Sequence, residues 1–234
     1  MTLSGNQPYL FPYLGYWQLI HAADRFLIAD DYDFIRHGWV SRNRILVSGR
    51  IQYLRIEVRR GGASRQILDK RVALTAEHLS DKLRTLEMAY HKAPYFQAAY
   101  EVAEKVLTCP EDNLALFLEH GIRQVCAYLG IETPIGRSSD LPGNRAFRRE
   151  WRIYDFCHRL GADTYINAPG GQKLYSFEEF ARQGIRLRFL QSKLPPYPQF
   201  GGPFVERLSI LDAMMFNSPD ALHGMLDEYT MIDG

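Results

Sequence analysis

The 234-residue sequence predicts an α/β fold with a mainly parallel, Rossmann-like sheet and a helical insert. Short apolar runs that are typical of buried strands alternate along the chain with amphipathic helical segments, and this order favours parallel strand pairing. A long helical stretch, about 76–130, interrupts the alternation. An apolar fraction of 46% and a charged fraction of 24% are ordinary globular values, so we treat residues 1–234 as one ordered domain.

The first quarter of the chain predicts a loop, a helix, a strand and a hairpin. Apolar residues with helical spacing follow Gly15, and FLIAD (26–30) then has the composition of a short buried strand. The polar and aromatic stretch 32–44 is predicted to be a loop. RILVSGRIQYLRIEV (44–58) is typical of two strands that turn at Ser48-Gly49, and a basic connection at 59–66 follows them.

The predicted insert contains two apolar stripes with helical spacing. We expect its last helix to begin near Asp112 and to end at Gly130. The later elements follow in order: a strand and polar turn (133–141), a helix from Ala146 to Leu160 ended by Gly161, a strand (163–167), a glycine-rich loop (168–175), a short capped helix (176–184), a strand (185–191), an irregular stretch (195–204) and a helical tail from Leu208 to Tyr229.

The charge balance and the cysteine content indicate which classes of protein this chain does not belong to. Lys plus Arg is 28 and Asp plus Glu is 27, which argues against broad electrostatic binding to nucleic acid or to a membrane surface. Three widely spaced cysteines favour a reducing compartment, and the His and Cys residues show no metal-ligand spacing, so no metal site is assigned. Neither a secretion signal nor an apolar run of membrane-spanning length is recognisable. We therefore expect a cytoplasmic protein.

Several blocks of sequence resemble one bacterial family across essentially the whole chain. The blocks are NQPYLFPYLGY (6–16), AADRFLIADD (22–31), RNRI (42–45), YHKAPYF (90–96), RSSDL (137–141), LGADTYINAPGGQKLY (160–175) and RLSILDAMMFN (207–217). Together they resemble the WbqC-like family, which is associated with O-antigen and other polysaccharide gene clusters. The resemblance implies a biosynthetic transferase that acts on sugar or carrier-bound intermediates by acyl or aminoacyl transfer.

The chain departs from the family pattern at two positions of its opening stretch. The family begins with a pattern close to H-Q-P-N-Y-x-P-W-L-G-Y, whereas this chain has Asn6 in place of the histidine and Tyr9 in place of the asparagine. If the histidine is a general base in relatives, three alternatives remain for this chain. The base lies elsewhere, the substrate differs, or catalysis has been lost.

The opening stretch also resembles, more distantly, the H-x-G-H region of nucleotidyltransferases and class I synthetases. Tyr13-Leu14-Gly15-Tyr16 would occupy that motif, just before a helix whose N-terminal N–H groups could face a phosphate. Tyrosine replaces both histidines, which removes the cationic donors expected to stabilise a transferring phosphate. The likeness supports the fold class and keeps nucleotide chemistry open as a second function.

Polar residues at the predicted strand ends are the candidate catalytic groups, because ligands of open α/β sheets bind beyond the carboxyl ends of the strands. Asp30 and Asp31 suit an acceptor amine, a sugar hydroxyl or a metal ion, and an Asx-type turn is the structural alternative. His91 or Tyr16 would shuttle the proton. Packing or a helix end explains the same residues equally simply.

The candidate substrate-binding residues fall into three groups. Arg42, Asn43 and Arg44 offer two guanidinium forks that suit a phosphate or a carboxylate. The other two groups supply amides and hydroxyls, glycines that let the backbone approach a ligand, and aromatic faces. Ordinary turns and core packing are the structural alternatives for these residues. They are Asn6, Gln7 and Tyr9 in the opening stretch, and Ser138, Ser139, Tyr165, Asn167, Gly170, Gly171 and Tyr175 in the later loops.

These residues support three functional hypotheses. The leading one is acyl or aminoacyl transfer from a phosphopantetheine thioester, carried by an acyl carrier protein, to an amine of a sugar or small metabolite. The second is nucleotidyl chemistry with a nucleotide donor. The third is a non-catalytic binding or scaffolding protein of a biosynthetic complex, which the change from histidine to Asn6 favours. Cys157 is expected to pack in the core, because it shares an apolar helix face with Ile153 and Phe156.

Overall fold

A computed structural model describes residues 1–234 and contains eight strands. The strands are β1 (Thr2–Asn6), β2 (Arg25–Ile28), β3 (Arg42–Val47), β4 (Arg50–Arg55), β5 (Ile135–Arg137), β6 (Thr164–Asn167), β7 (Arg186–Ser192) and β8 (Tyr229–Asp233). Six of them form one sheet in the order β5-β2-β1-β6-β7-β8, and β3 pairs with β4 in a separate hairpin. All neighbours in the large sheet are parallel except β7 and β8. The predicted α/β class with a mainly parallel sheet is therefore confirmed.

Eight α-helices surround the sheet and the hairpin. They are α1 (Leu14–His21), α2 (Ala76–Tyr90), α3 (Phe96–Leu107), α4 (Leu114–Leu129), α5 (Glu150–Leu160), α6 (Phe177–Arg182), α7 (Ile210–Phe216) and α8 (Pro219–Met225). The insert is α2 to α4. The Asn113 side chain caps α4, and Gly130 ends it in the left-handed conformation, with φ of 69°. None of the eight helices combines the length and the apolar composition that crossing a membrane requires.

The two faces of the sheet bury cores of unequal size. The larger cluster has 41 buried residues, and it joins α1 to the insert, to the hairpin and to α7 and α8. Trp17 on α1 and Phe117 on α4 are both fully buried there. The smaller cluster has 12 residues from the opposite face, and it includes Cys157 of α5 and Phe180 of α6. Because the insert shares the larger cluster with α1, it packs as part of the main core.

The strand order places a topological switch point beside β1. From β1 the chain passes through α1 to β2, on one side of β1. From β6, which lies on the other side of β1 and follows the insert and α5, the chain passes through α6 to β7, farther from β1. Connections that leave β1 and β6 toward opposite sides open a crevice at the carboxyl ends of these two strands. Asn6 ends β1 and Asn167 ends β6, so this crevice begins with two asparagines.

Four local features differ from the sequence-based expectations. The segment Thr2–Asn6 is a strand, and Arg42 to Arg44 lie in β3 and not in a loop. The predicted helix at Ala146 begins at Glu150, because a 3-10 turn and a positive φ of 51° at Arg149 precede it. The tail ends as strand β8, which pairs with β7 and closes that edge of the sheet.

Candidate functional site

A cavity of about 170 Å³ lies at the carboxyl ends of β1 and β6, and we call it the switch-point cavity. Its lining comes from both strands, from the loop after β2, from Ser138 and from α5. Seven of the predicted site residues line it, namely Asn6, Gln7, Tyr9, Ser138, Tyr165, Asn167 and Tyr175. Residues that are far apart in the sequence therefore converge at the place where an open α/β sheet binds its ligand.

Asn6 and Asn167 have the same local geometry on neighbouring strands. The side-chain oxygen of Asn6 accepts the backbone N–H of Gln7 at 2.8 Å, and that of Asn167 accepts the N–H of Ala168 at 2.7 Å. A backbone N–H requires an oxygen acceptor, so these bonds orient both amides. Neither NH₂ group has a hydrogen-bond partner within the chain. Both asparagines line the cavity, and each NH₂ group keeps its capacity to donate a hydrogen bond.

Gly171 makes room for the Asn167 amide. A Cβ atom at Gly171 would lie 2.7 Å from Asn167 Nδ2, which is closer than such contacts allow, and 3.2 Å from the Phe189 ring, which is tight. At the neighbouring Gly170 a Cβ atom would meet no atom within 4 Å. The two glycines therefore differ: only Gly171 is required for the position of the Asn167 side chain.

The opening loop is fastened from three directions. Asn43 Nδ2 donates to the carbonyls of Leu10 and Phe11 at 3.0 and 2.8 Å, and Ser209 Oγ donates to the Phe11 carbonyl at 2.9 Å. Tyr16 OH donates to the Gln7 carbonyl at 3.0 Å. Phe11 has a φ of 42°, which is costly for a residue other than glycine, and these bonds hold it there. The loop is therefore a rigid wall of the cavity.

The cavity has tyrosine hydroxyls but no acid or base that titrates near neutral pH. Burial raises the pKa of Tyr175 to about 12. Burial also raises the pKa values of Tyr9, Tyr32 and Tyr165 above the ordinary tyrosine value. No His, Cys, Lys, Arg, Asp or Glu side chain lines the cavity. Its chemistry therefore consists of neutral donors and acceptors.

Asp30 and Asp31 lie behind Ser138 and contact the cavity only through it. Ser138 Oγ is within hydrogen-bond distance of Oδ1 of both carboxylates, and the Ser139 backbone N–H and hydroxyl donate to Asp30. Both aspartates are almost fully buried. Because the serine hydroxyl has one proton and uses it on a carboxylate, its oxygen remains able to accept a hydrogen bond.

Two arginines neutralise Asp31. Arg152 Nη2 donates to both Asp31 carboxylate oxygens at 2.9 and 2.8 Å, and Arg145 Nε approaches at 3.2 Å. Burial alone would raise the pKa of Asp31, but the hydrogen bonds from Ser138 and Arg152 and the arginine charges lower it below its usual value. The Arg152 guanidinium also lies 4.4 Å above the Tyr32 ring centre. Asp31 is therefore an ionised anchor and is not available as a proton acceptor.

A second pocket, of about 210 Å³, shares Tyr9 with the switch-point cavity, and we call it the aromatic pocket. Tyr13 and Trp39 add two more aromatic side chains to its wall, and Arg44 and Arg207 add two guanidinium groups. Arg44 Nη2 donates to the Arg207 carbonyl at 2.7 Å, which fixes its position. Aromatic faces beside guanidinium groups suit a planar or phosphorylated ligand.

Comparisons with known proteins agree with the resemblance in the sequence. The chain matches the WbqC-like protein family over residues 7–224. The chain belongs to this family. It is also 29% identical, over 217 residues, to a Mycobacterium tuberculosis (strain ATCC 25618 / H37Rv) protein named uncharacterized protein Rv1507c, which covers 90% of this chain and 93% of the relative. No solved structure matches the chain. The family match begins at Gln7, so Asn6 lies just before the matched range.

In this WbqC-like protein the remaining predicted catalytic and binding residues lie outside the switch-point cavity. Tyr16 is buried behind the opening loop, and Asn43 fastens that loop. Arg42 and Arg44 reach different recesses, so the two guanidinium forks do not converge on one phosphate. His91 is exposed at the end of α2, where its Nδ1 lies 3.1 Å from the Glu87 carbonyl oxygen, and it lines neither the switch-point cavity nor the aromatic pocket.

This WbqC-like protein has no assembled cluster of metal ligands, and Cys157 does not offer a reactive thiol. No three His, Cys, Asp or Glu side chains are placed to hold a metal ion together. Cys157 is fully buried, as expected, and burial raises the pKa of its thiol to about 12. A buried thiol in its protonated form is a poor nucleophile.

The sequence analysis did not predict three residues of the site. For two of them the sequence contains a signal that could have indicated the role. Arg152 precedes Phe156 by one helical turn, so a charged residue on the buried face of α5 marked a paired anion. Tyr32 follows Asp30-Asp31 directly and lines the cavity. Arg207 begins the RLSILDAMMFN block (207–217), but nothing in the sequence indicated that folding brings it to Arg44.

Proposed function

We propose that this WbqC-like protein is a transferase of a biosynthetic pathway that moves an acyl or aminoacyl group from a carrier thioester to an amine. The acceptor amine belongs to a sugar or a small metabolite. The free NH₂ groups of Asn6 and Asn167, which line a cavity without a titrating base, are the observation that carries this proposal. In the proposal the reaction takes place at the carboxyl ends of β1 and β6.

Aminolysis of a thioester needs stabilisation of an oxyanion more than it needs a protein base. The free amine attacks the carbonyl carbon, negative charge develops on the carbonyl oxygen, and the C–S bond then breaks as the C–N bond is completed. Neutral donors aimed at that oxygen lower the barrier. The thiolate that leaves takes up the proton lost by the amine, directly or through water. In the proposal Asn6 and Asn167 supply the two donors.

The surrounding residues place the two substrates. Ser138 Oγ accepts a hydrogen bond from an N–H of the acceptor amine, while its own proton is donated to a carboxylate of the Asp30–Asp31 pair. Arg44 and Arg207 of the aromatic pocket bind the phosphate of a phosphopantetheine donor. In this arrangement the carboxylates orient the amine through the serine, and an acyl carrier protein in the cytoplasm is the partner that delivers the donor.

Incubation with acyl carrier-protein and coenzyme A thioesters plus amino sugars, followed by mass spectrometry, tests the proposal. We expect an amide product, and Asn6→Asp or Asn167→Asp, which keeps the size but removes the donor, should lower kcat by about 10²–10³. Gln172→Glu is the matched control, since it makes the same chemical change at an exposed residue of the adjacent loop. No product across the panel, or an equal loss in all three variants, contradicts the proposal.

A nucleotidyltransferase-like activity is the second candidate, and the aromatic pocket favours it. A base stacked on Trp39 or Tyr13 would place its phosphates near Arg44 and Arg207. Calorimetry with ATP and CTP should then show binding that Arg44→Ala weakens. The absence of binding to either nucleotide rejects this candidate.

The lack of a titrating group in the cavity favours a third candidate, a non-catalytic binding protein. It predicts stable co-purification with a biosynthetic partner and no turnover. If activity appears only after Asn6→His, the natural protein is a binder.

A further inference from the structure

A groove of about 610 Å³ lies beside the β3–β4 hairpin, and it shares no residue with the switch-point cavity. Its lining is dominated by cations, and we call it the basic groove. The cationic side chains are Arg36, Arg42, Arg55, Arg59, Arg60 and Lys70. The whole chain has a formal net charge of +1, so this groove concentrates positive charge that is balanced elsewhere in the molecule.

The arginines of the basic groove have no anionic partner within the protein. None of the five guanidinium groups lies within 4.0 Å of a carboxylate or donates a hydrogen bond to the chain, whereas Arg152, Arg123 and Arg188 are all paired. Glu57 is the only acid in the lining, and it already pairs with Lys82 at 2.8 Å. The positive charge of the groove is therefore uncompensated.

Two of these arginines face each other directly across the hairpin. Arg42 pairs with Arg55 in the β3–β4 register, and like charges at such positions destabilise a hairpin. Their guanidinium carbons lie 4.4 and 5.3 Å from the Tyr53 ring centre, so one aromatic ring supports both groups. Arg42 Nε is buried against this support without an acceptor. A partly desolvated cation pair of this kind is stabilised by an anion that bridges it.

We propose that the basic groove binds a small molecule with two or more adjacent phosphates, such as a nucleoside diphosphate. A volume of roughly 300–1,000 Å³ is typical of small-molecule sites, and the groove lies within that range. Arg42 and Arg55 grip neighbouring phosphate groups, while Arg59, Arg60 and Lys70 neutralise the remaining charge. This site is independent of the acyl-transfer proposal, because the groove and the cavity have separate linings.

Calorimetry of the full chain at fixed ionic strength tests the site with inorganic pyrophosphate, ADP and orthophosphate. Pyrophosphate and ADP should bind, and orthophosphate should bind at least tenfold more weakly. Arg42→Gln and Arg55→Gln should each weaken pyrophosphate binding at least tenfold. Arg84→Gln, which removes an exposed arginine of α2 outside the groove, should leave binding unchanged.

The stability of the free protein separates binding from folding. Arg55→Gln removes the opposed charge, so it should raise the melting temperature of the free protein by about 1–3 °C while it weakens binding. If Arg55→Gln lowered the melting temperature, its loss of binding would be explained by misfolding, and the assignment would be overturned. The assignment also fails if neither pyrophosphate nor ADP binds, or if a single-stranded RNA decamer binds and pyrophosphate does not displace it.

Discussion

At the scale of single residues, the orientation of two amides sets which of their atoms remain available for hydrogen bonds at the cavity. Asn6 and Asn167 were both predicted to bind substrate, but the sequence could not show that a backbone N–H engages each side-chain oxygen. That geometry depends on the strand ends and on the space left by Gly171. Asn6 therefore places a neutral amide at the position where the family pattern has a histidine.

The two adjacent glycines of the late loop allow a matched prediction. Gly171→Ala should displace the Asn167 amide and lower the transferase rate, or ligand affinity, by at least tenfold. Gly170→Ala enters open space, so it should change neither. Side-by-side kinetics or calorimetry of the two variants checks this. Equal behaviour of the two variants would remove the positioning role of Gly171.

The pH dependence of the rate should reflect the ionisation of the acceptor amine and not that of the cavity side chains. The tyrosines of the cavity have raised pKa values, with Tyr175 at about 12, so all stay neutral between about pH 5 and 9. The rate should rise with pH only as the acceptor amine loses its proton. Asn6→His should add an inflection near pH 6.5, the ordinary histidine value. A bell-shaped profile in the wild-type protein would indicate a protein base and contradict the proposed chemistry.

At the scale of elements, α5 is tied to the loop after β2 by one buried ion pair. Arg152 reaches Asp31 from the helix, and Asn144 holds the same arginine, because its side-chain oxygen accepts from Arg152 Nε at 2.7 Å. Both sides of this contact are also neighbours of the cavity. The position of α5 and the shape of the site are therefore coupled.

Removal of Arg152 should destabilise the fold in a pH-dependent way. Arg152→Met leaves a buried carboxylate without its main partner and should cost about 3–5 kcal/mol at neutral pH. The folded-state pKa of Asp31 is lowered, so its stabilisation is present above its unfolded value of about 3.9 and is lost as the pH falls through the folded value. The deficit of the variant should therefore shrink in acid.

Denaturant unfolding between pH 3 and 7 measures this deficit. Arg182→Met is the matched control, because Arg182 pairs with Glu178 on the exposed surface of α6 and should contribute less than about 1 kcal/mol. A similar loss in both variants, or a deficit that does not vary with pH, would show that the Asp31 pair does not anchor α5.

Local patterns predicted most elements, and long-range pairing explains the rest. The insert helices, the hairpin turn at Ser48-Gly49 and the glycine ends of α4 and α5 followed from spacing and from turn residues. Strand β1 was missed because its small and polar residues lack a strand pattern, and pairing with β2 and β6 stabilises it instead. Long-range folding also explains Asp212 of α7, which is buried and accepts hydrogen bonds from Tyr90, Tyr197 and Gln199.

At the scale of the whole molecule, one core connects the sheet to the insert. The larger cluster extends from α1 to α4 and to α8, and the chain has no apolar core confined to the insert. Packing on both faces fixes the switch-point cavity between elements that are distant in sequence. The treatment of residues 1–234 as one domain remains a prediction that unfolding can test.

Thermal unfolding should be a single cooperative transition. Trp17 lies in the core that the insert completes, whereas Trp39 and Trp151 are exposed. With Trp39 and Trp151 replaced by Phe, the Trp17 fluorescence should change together with the far-ultraviolet circular dichroism of the helices. Calorimetric and van't Hoff enthalpies should agree. An early helical transition, with Trp17 still buried, would show that the insert unfolds as a separate unit.

The central position of β1 has a consequence for how the protein is made. Thr2 pairs with Thr164, so one edge of β1 stays unpaired until about 160 further residues have been synthesised. An open strand edge on a nascent chain is an aggregation hazard. We therefore expect that slower translation would not let the amino-terminal region complete its sheet early. We expect its soluble yield to depend on chaperones that shield that edge until β6 leaves the ribosome.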